Sequence, residues 1–499
     1  MKHIGVIDIG SNSVRLLITE ITDKRSFKII TELKEYVRLG EGFDNNGSLK
    51  EEKIQETINV LRLYKNFCAT FPDIKIIATA TEAVRKAKNQ SYLMDRIKSE
   101  INLDIQVLSG EKEAYYDYFA SINTLSINNG LIMDIGGAST ELILVENRNL
   151  KECISLPFGA ITLTKKFNLQ DSISNAEEKN LKSFLLDSFS KIAWLNDLKV
   201  NTLIGIGGSI RNIAKISKKR TNYPLNLIHN YKLDSAEILD IYDEVKLKSA
   251  EQRKKIKGLS KNRTDIFVGA VCAVNTLIDM CKIKHVIISR NGLREGVLLS
   301  TLYNKQKIDD ILGFSINNIM INNSMNPKHS NHVYKLTLSL FDELKPVHRL
   351  DDYLINVIRT SSMLHDIGSN ISYYYHHKHS AYVILNSIIY GLTPRECVMS
   401  AFAAYYHRSD SLPSDFDKYK TLIDKVDLYS IKVIGILIRI AENLDKDLSN
   451  SITDIKCTIN DDVIIIKTVS NTNSDFLIKQ AQTISDSFNE LLGKKLYVV

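Results

Sequence analysis

Two short loops carry residue types that suit the binding of a phosphorylated ligand. The first, Asp8–Arg15, has the sequence DIGSNSVR, and the second, Asp134–Glu141, has the sequence DIGGASTE. Glycines in a turn can take positive φ and let a ligand approach backbone N–H groups, and hydroxyls add donors. Carboxylates repel phosphate unless a cation lies between them, so the acidic residues predict Mg²⁺. The predicted phosphate ligands of the loops are Gly10, Ser11, Asn12, Ser13, Gly136, Gly137, Ser139 and Thr140.

The recurrence of the loop is more informative than either copy alone. One Asp-x-Gly turn is common in hairpins, whereas two copies at equivalent places of two similar units indicate a shared role. No GxxxxGK[ST] motif occurs, which excludes a P-loop NTPase. A third glycine-bearing segment at 203–216, LIGIGGSIRNIAKI, adds four candidate phosphate ligands: Gly207, Gly208, Ser209 and Arg211.

Each loop lies between two predicted strands. Residues 2–9 and 14–22 flank the first loop, and residues 130–135 and 141–147 flank the second. This repeated strand–loop–strand unit predicts an internal duplication, with two α/β halves facing each other across a cleft. The other predicted elements are helices over 51–71, 90–101 and 110–122, a strand over 74–78, and strands starting at 203 and 285, each followed by a helix.

The chain changes character after about residue 305. Helical periodicity dominates up to 448, and alternating apolar and polar residues then predict a small α+β tail. We therefore predict four domains: two α/β domains, an all-α domain and an α+β domain. Their predicted bounds are 1–124, 125–304, 305–450 and 451–499.

Composition excludes several classes of protein. The 499 residues are 44% hydrophobic and 25% charged, with a net charge of +7, which suits a globular enzyme with a polyanionic substrate. The six cysteines form no CxxC pair, which argues against a zinc ribbon or a disulfide framework. Because no leader-like or membrane-spanning apolar segment is apparent, we expect a cytoplasmic protein that binds neither DNA nor membranes.

Seven segments occur in the order typical of one family: IDIGSNSVRLLI, TATEAVR, SGEKEA, MDIGGASTEL, LPFGAITLT, GIGGSIR and NGLREG. On these motifs the chain resembles the exopolyphosphatase / guanosine pentaphosphate phosphatase family. The resemblance covers about residues 1–300, and the helical domain also resembles that of the long members. It implies actin-like (ribonuclease H-like) α/β halves.

The resemblance also implies roles for individual residues. The catalytic base of the family matches Glu113, with Glu111 as the neighbouring candidate. A carboxylate at that place could take the proton of a water that attacks the terminal phosphorus. Asp134 and Glu141 match the carboxylates of the metal site, and Asp8 is expected to join them through water. The resemblance therefore implies Mg²⁺ or Mn²⁺.

Basic residues are expected along the phosphate chain. Arg15 and Arg85 match positions of that kind in the family, while Arg211, Arg263 and Arg294 are further candidates. Arginine suits this role because its planar fork pairs bidentately with phosphate. The sequence departs from the family at Ala138, where many members have a third glycine. This substitution puts the geometry of the loop in doubt if the position needs positive φ.

The helical domain carries a second set of candidate metal ligands. The order His332, His365-Asp366 and Asp445, with His379 and His407 nearby, resembles the metal site of HD-domain phosphohydrolases. Imidazoles with carboxylates suit a divalent transition metal. His376 and His377, in a tyrosine-rich segment, are expected to matter less. The alternative is a buried polar network without metal.

These expectations leave several functions open. The first is Mg²⁺-dependent release of terminal phosphate from inorganic polyphosphate, and the second is hydrolysis of guanosine pentaphosphate. A sensor of either ligand with little catalysis, a nucleotide phosphohydrolase centred on the HD-like site, and a kinase are further alternatives. In each case involving the cleft the ligand is polyphosphate or guanosine pentaphosphate, and we expect a homodimer.

Overall fold

The computed structural model describes residues 2–22 and 25–499, and it divides into two compact units. The first unit comprises residues 1–223 and 228–309, and the second comprises 224–227 and 310–499. Met1, Asp23 and Lys24 lie outside the described residues, although the predicted first domain included them. The two predicted α/β domains therefore form one unit, and the helical domain and the tail form the other.

The first half of unit one is built on a five-stranded mixed sheet with the order β3-β2-β1-β4-β5. β1 pairs antiparallel with β2 and parallel with β4, so the first loop emerges from the middle of the sheet. Apolar residues of the sheet and of the helix 51–68 form the core of this half. The strands are β1 (His3–Ile9), β2 (Val14–Ile21), β3 (Phe27–Glu35), β4 (Ile74–Ala80) and β5 (Ile105–Val107).

The second half repeats this arrangement in a six-stranded sheet with the order β10-β11-β9-β6-β7-β8. β6 pairs antiparallel with β7 and parallel with β9, as β1 does with β2 and β4. The second loop therefore lies at the equivalent place. The strands are β6 (Gly130–Ile135), β7 (Thr140–Glu146), β8 (Asn149–Leu156), β9 (Thr202–Ile206), β10 (Tyr231–Asp234) and β11 (His285–Ile288).

Twelve α-helices lie in the described part of unit one. They are α1 (Glu51–Cys68), α2 (Glu82–Arg85), α3 (Gln90–Ile101), α4 (Gly110–Ile122), α5 (Ala160–Phe167), α6 (Asn175–Ser190), α7 (Ala193–Asn196), α8 (Gly207–Arg220), α9 (Ser235–Lys246), α10 (Ala250–Arg253), α11 (Phe267–Cys281) and α12 (Leu293–Leu302). Short 3-10 helices cover Leu39–Glu41 and Lys261–Arg263. α4 packs against β7 and β8 of the second sheet, while α12 contacts β1 of the first. A helix from each side of the predicted boundary at 124/125 therefore packs on the sheet of the other half.

The second unit consists of a helical part and a three-stranded tail. Its helices are α13 (Ile311–Asn322), α14 (Pro327–Glu343), α15 (Lys345–His348), α16 (Ile355–Leu364), α17 (His376–Asn386), α18 (Pro394–Tyr406), α19 (Lys425–Asn443), α20 (Asp475–Gln482) and α21 (Ser485–Leu492). The 3-10 helices are Asp352–Leu354, Ile367–Asn370 and Phe416–Tyr419. The strands β12 (Ile452–Ile459), β13 (Val463–Ser470) and β14 (Lys495–Val498) form the tail. None of the helices in the described chain combines the length and apolar composition needed to cross a bilayer.

This architecture confirms the predicted fold class of two duplicated α/β halves, a helical domain and a small α+β tail. Four strands were missing from the prediction, namely β3, β5, β8 and β10. β3 and β8 are edge strands whose exposed faces are charged, and this weakens the alternation of apolar residues that marks a strand. β5 and β10 have only three and four residues, too few to show a period.

Candidate active site

The two loops line one cavity of about 120 Å³ between the two sheets of unit one. This volume has room for about four waters, and it is below the roughly 300 Å³ of a site for a drug-sized ligand. It therefore suits one phosphoryl group rather than a whole nucleotide. The predicted site residues that line it are Asp8, Gly10, Ser11, Asn12, Ser13, Arg15, Glu113, Asp134, Gly136, Gly137, Ser139, Glu141, Gly207, Gly208, Arg211, Arg263 and Arg294.

Three predicted phosphate ligands do not line the cavity. The hydroxyl of Thr140 donates to the carbonyl of Phe158 at 2.7 Å, and that of Ser209 accepts from Nη1 of Arg263 at 3.3 Å. The guanidinium of Arg85 is held by two carboxylates. Each of these side chains is hydrogen-bonded to a neighbouring residue, and two of the partners, Glu113 and Arg263, line the cavity.

The same backbone bond closes both loops. Gly10 donates to the carbonyl of Ser13 at 3.1 Å, and Gly136 donates to that of Ser139 at 3.0 Å. Neither Gly10 nor Gly136 takes the positive φ that glycine makes possible. Close approach requires glycine instead, because a Cβ at Gly137 would lie 3.0 Å from Cβ of Ser11 in the other loop.

The departure from the family at Ala138 is accommodated. Ala138 is buried and is not among the residues with positive φ, so a methyl group at this place creates no backbone strain. The glycine that does need left-handed backbone is Gly207, with φ of +93°, where a Cβ would lie 2.5 Å from Oδ1 of Asp134. Position 207 therefore requires glycine for two reasons: its left-handed backbone conformation and the close approach of the Asp134 carboxylate.

Several buried carboxylates line the cavity. Asp8, Asp117, Asp134 and Glu141 all line it, and burial raises the pKa of each of them. Neighbouring carboxylates raise the pKa of Asp117 and Glu141 further. Such a concentration of negative charge in a buried place is unfavourable without a cation.

The carboxylates provide what a hard cation needs. Oδ1 of Asp8 and Oδ1 of Asp117 are buried without a hydrogen-bond partner among the described residues. Mg²⁺ and Mn²⁺ prefer carboxylate oxygens and retain waters, and the mixed set of one glutamate and three aspartates fits that preference. The residues present therefore fit the predicted metal.

Asp117 is a candidate that the sequence analysis missed. It is 2% exposed, and burial together with the nearby Asp134 and Glu141 raises its pKa. The signal in the sequence is its spacing, because Asp117 follows Glu113 by four residues and the two lie on the same face of α4.

Glu113 and Glu111 differ in burial and in access to the cavity, and only Glu113 is placed for a catalytic role. Glu113 is buried and lines the cavity, whereas Glu111 is exposed. Burial, opposed by Arg85, raises the pKa of Glu113 to about 8. Arg85 forms ion pairs with both Glu113 and Glu82, and this arrangement fixes the orientation of the Glu113 carboxylate.

Arginines line the cavity as well. Burial and neighbouring arginines lower the pKa of Arg211 and that of Arg263 to about 10, so both remain charged near neutrality. Arg294 is compensated by Glu295 at 3.5 Å and Glu32 at 3.6 Å. In addition, α8 begins at Gly207 without a side-chain cap, which leaves its first N–H groups for an anion.

Comparison with protein families decides the assignment. The model of the Ppx/GppA phosphatase family matches residues 17–305, and the model of domain III of that family matches residues 312–486. The chain belongs to the Ppx/GppA phosphatase family. This confirms the family predicted from the motifs and makes the protein a hydrolase of that family.

Individual relatives agree with this assignment. The guanosine-5'-triphosphate,3'-diphosphate pyrophosphatases of Vibrio atlanticus and Pseudoalteromonas translucida are each 26% identical, over 82% and 92% of this chain and 82% and 90% of theirs. The bifunctional 3-dehydroquinate synthase/phosphatase of Fusobacterium nucleatum is 31% identical over 60% of this chain, and the match spans only 46% of that protein.

Solved structures of the family cover the first unit. The Ppx/GppA family member of Aquifex aeolicus is 32% identical with a TM-score of 0.54, over 61% of this chain and 99% of that one. An exopolyphosphatase from Cytophaga hutchinsonii is 26% identical with a TM-score of 0.58, over 61% and 99% of the two chains.

Domain III of this family member contains a second group of candidate ligands, here called the His–Asp centre: His329, His365, Asp366, His376 and His407. The ligand atoms of the first three lie within 4.8 Å of one another, as do those of the last three, with Asp366 shared. Such a set could hold a divalent transition metal ion.

The histidines present suitable atoms to an ion. Nδ1 of His365 donates to the carbonyl of Ser362 at 2.7 Å, so its Nε2 keeps a lone pair, and that Nε2 is buried without a hydrogen-bond partner among the described residues. Burial lowers the pKa of His407 to about 3, which keeps it neutral. Burial alone would raise the pKa of Asp366, but the surrounding histidines outweigh it and lower the pKa.

The structure corrects the predicted composition of this centre. His329 belongs to it in place of His332, which lies three residues, about 4.5 Å, further along α14. Asp445 is an outer residue, since its Oδ2 accepts from Nδ1 of His329 at 2.7 Å and orients that ring. The expectation that His376 matters little is wrong, because its Nε2 lies 2.9 Å from Oδ1 of Asp366. His377 and His379 lie outside both groups.

Proposed function

We propose that this family member releases terminal orthophosphate from inorganic polyphosphate by hydrolysis in the cavity between the two loops. The observation that carries the proposal is the position of Glu113, a buried carboxylate facing a cavity that combines a metal-binding set with arginines. The cavity has room for one phosphoryl group, which favours removal of the end of a chain over cleavage within it.

The residues of the chain divide the reaction between them. Glu113 takes the proton of the attacking water as the oxygen–phosphorus bond forms, and the bond between the terminal phosphorus and the next bridging oxygen breaks. Arg15, Arg211 and Arg263 stabilise the negative charge on the phosphoryl oxygens. Arg85 acts through Glu113, whose carboxylate it orients.

A metal ion would complete this arrangement. Asp134 and Glu141 would hold it, with Asp8 and Asp117 as further oxygen donors around it. When bound, Mg²⁺ supplies neutralisation of the carboxylates and of the phosphate oxygens.

Guanosine pentaphosphate is the second candidate substrate. The observation in its favour is the coverage of the relatives named as guanosine-5'-triphosphate,3'-diphosphate pyrophosphatases, which match over 82% and 92% of this chain. The site handles the terminal phosphoryl group in the same way for both substrates. The two substrates differ only beyond that group, in the part that remains after hydrolysis, so the ratio of kcat/KM for the two decides between them.

The test compares Glu113→Gln with Glu111→Gln, a matched change on the exposed side of the same helix turn. We expect Glu113→Gln to lower phosphate release by roughly 10²–10⁴-fold, the usual contribution of general-base catalysis, and Glu111→Gln to remain within about twofold of wild type. Phosphate release is measured with Mg²⁺, from long-chain polyphosphate and from guanosine pentaphosphate.

Two results would contradict the proposal. Unchanged activity of Glu113→Gln would show that Glu113 is not the catalytic base. A wild type that releases phosphate from neither substrate would refute the proposed function. A wild type with far higher kcat/KM for guanosine pentaphosphate would establish the second candidate instead.

A further inference from the structure

A row of side chains crosses the first sheet on the face of the cavity. Asp8 of β1 pairs with Arg15 of β2, and Arg15 pairs with Lys34 of β3. Directly opposite residues on neighbouring strands point to the same face, so these three side chains form one line. With strands about 4.8 Å apart, Lys34 lies roughly 10 Å from Asp8. The row ends at β3, which is the edge strand of the sheet.

The second sheet contains the equivalent row with different chemistry. Asp134 of β6 pairs with Glu141 of β7, and Glu141 pairs with Ser155 of β8. The hydroxyl of Ser155 donates to Oε1 of Glu141 at 2.7 Å. Both rows start with aspartate, but the second continues with a carboxylate and its donor, whereas the first continues with two cations. The duplicated halves have therefore diverged into a metal-holding row and a basic row.

The two cations of the basic row hydrogen-bond to hydroxyls rather than to carboxylates. Arg15 donates through Nε to the hydroxyl of Ser13 at 3.2 Å, and Lys34 donates to the hydroxyl of Tyr36 at 2.5 Å. Within residues 2–22 and 25–499, neither forms an ion pair with a carboxylate. Like charges directly opposite on neighbouring strands destabilise a sheet. An anion that bridges them would remove this penalty.

Lys34 also lies within the field of the cavity arginines. Burial of its amino group is the largest cause that lowers the pKa of Lys34, and Arg15 and Arg263 are the next largest. Together with the other arginines they lower this pKa to about 7, although the side chain as a whole is exposed. Because the charges of these arginines act on it, the amino group of Lys34 lies on the side of the sheet that faces the cavity.

We propose that Lys34 forms a second phosphate subsite, which receives the phosphates behind the terminal one. The terminal phosphoryl group fills the cavity, the following phosphates lie along Arg15 and Lys34, and the rest of the substrate leaves across β3. This inference rests on the proposed function and deepens it, because it makes a chain of at least three phosphates the preferred ligand. Substrates that end before Lys34 forgo that contact.

The test measures binding rather than turnover. In a Glu113→Gln background with Mg²⁺, isothermal titration gives the Kd of tripolyphosphate and of orthophosphate, with and without Lys34→Met. We expect Lys34→Met to raise the Kd of tripolyphosphate about tenfold, equivalent to about 1.4 kcal/mol, and that of orthophosphate less than about twofold. Lys34→Arg should restore tripolyphosphate binding to near the parent value.

Lys28→Met is the matched control, since Lys28 is an exposed lysine on the same strand beside Glu20 and away from the cavity. It should leave both constants unchanged. An equal rise for both ligands with Lys34→Met would show a general field effect, and no rise for tripolyphosphate would remove the subsite, so either result overturns the inference. Failure of the proposed function would appear separately, as no phosphate release by the wild type although tripolyphosphate still binds.

Discussion

At the scale of residues, the site concentrates groups that destabilise a fold unless a ligand is bound. Asp117 illustrates this, because it is buried beside Asp134 and Glu141, whose negative charges add to its own. Burial and these neighbours raise its pKa well above the usual range. Functional sites often keep such groups at the expense of stability. The same carboxylate should therefore weaken the metal-free fold and strengthen metal binding.

Asp117→Asn separates these two effects. Without metal, in EDTA, we expect the variant to have a free energy of unfolding higher by roughly 1–2 kcal/mol, because one buried ionisable group is removed. The Mg²⁺ concentration for half-maximal phosphate release should rise about tenfold, because an oxygen donor is lost. Urea unfolding and Mg²⁺ titration of activity measure the two quantities.

Asp104→Asn serves as control for this comparison, since Asp104 is an exposed carboxylate of the same unit. It should change neither quantity. A less stable Asp117→Asn with an unchanged Mg²⁺ requirement would show that Asp117 has a structural role only.

At the scale of elements, the His–Asp centre depends on where helices end. His365 and His407 directly follow the last residues of α16 and α18, and His376 begins α17. A side chain at a helix end can turn towards neighbouring elements, and here three ends converge on Asp366. We propose a divalent transition metal ion at this place, and the test is the metal content of the purified chain.

The double variant His365→Ala/Asp366→Ala should lose about one equivalent of bound metal relative to wild type, because both groups of ligands share one of these residues. Elemental analysis after dialysis against Zn²⁺, Mn²⁺ or Fe²⁺ measures this content. His379→Ala, outside both groups, should keep the wild-type value. Equal metal content in all three proteins would leave the centre as a polar network.

At the scale of the whole molecule, unit one is stabilised by buried polar residues that join distant segments. Arg253 is fully buried and donates to backbone carbonyls of five residues, including Leu169 and Thr264. Nε2 of His229 lies 3.0 Å from the carbonyl oxygen of Thr124, and its Nδ1 accepts from the N–H of Arg290 at 3.3 Å. Such residues make the stability of the unit sensitive to their ionisation.

His229 predicts a pH dependence of stability. Burial lowers its pKa to about 4, below the 6.5 of the unfolded chain, so only the unfolded chain takes up a proton between these values. The contribution of neutral His229 to the free energy of unfolding is complete above pH 6.5 and is lost as the pH falls towards 4. We expect wild type to lose about 2 kcal/mol more between pH 7.5 and pH 5 than His229→Gln, whose amide is neutral.

Urea unfolding at the two pH values measures this difference, and the other ionisable groups are the same in both proteins. Equal losses in wild type and His229→Gln would show that His229 is protonated in the folded chain or does not contribute.

Much of the site could be predicted because it depends on local sequence. The loops Asp8–Arg15 and Asp134–Glu141 each lie within a few residues between two strands, so their residue types, spacing and recurrence are visible without a fold. The same holds for Glu113, which a short motif identifies. The family and the duplicated architecture follow from these ordered local signals.

The sequence by itself therefore determined the chemistry of the cleft: glycine loops, carboxylates and arginines in a duplicated α/β frame. Only the tertiary structure decided which side chains face the cavity. The rotation of α4 about its axis places Asp117 in the cavity, and that of α14 places His329 rather than His332 in the His–Asp centre. The strand register places Lys34 beside Arg15. These choices depend on contacts between residues far apart in the chain, and no local pattern specifies them.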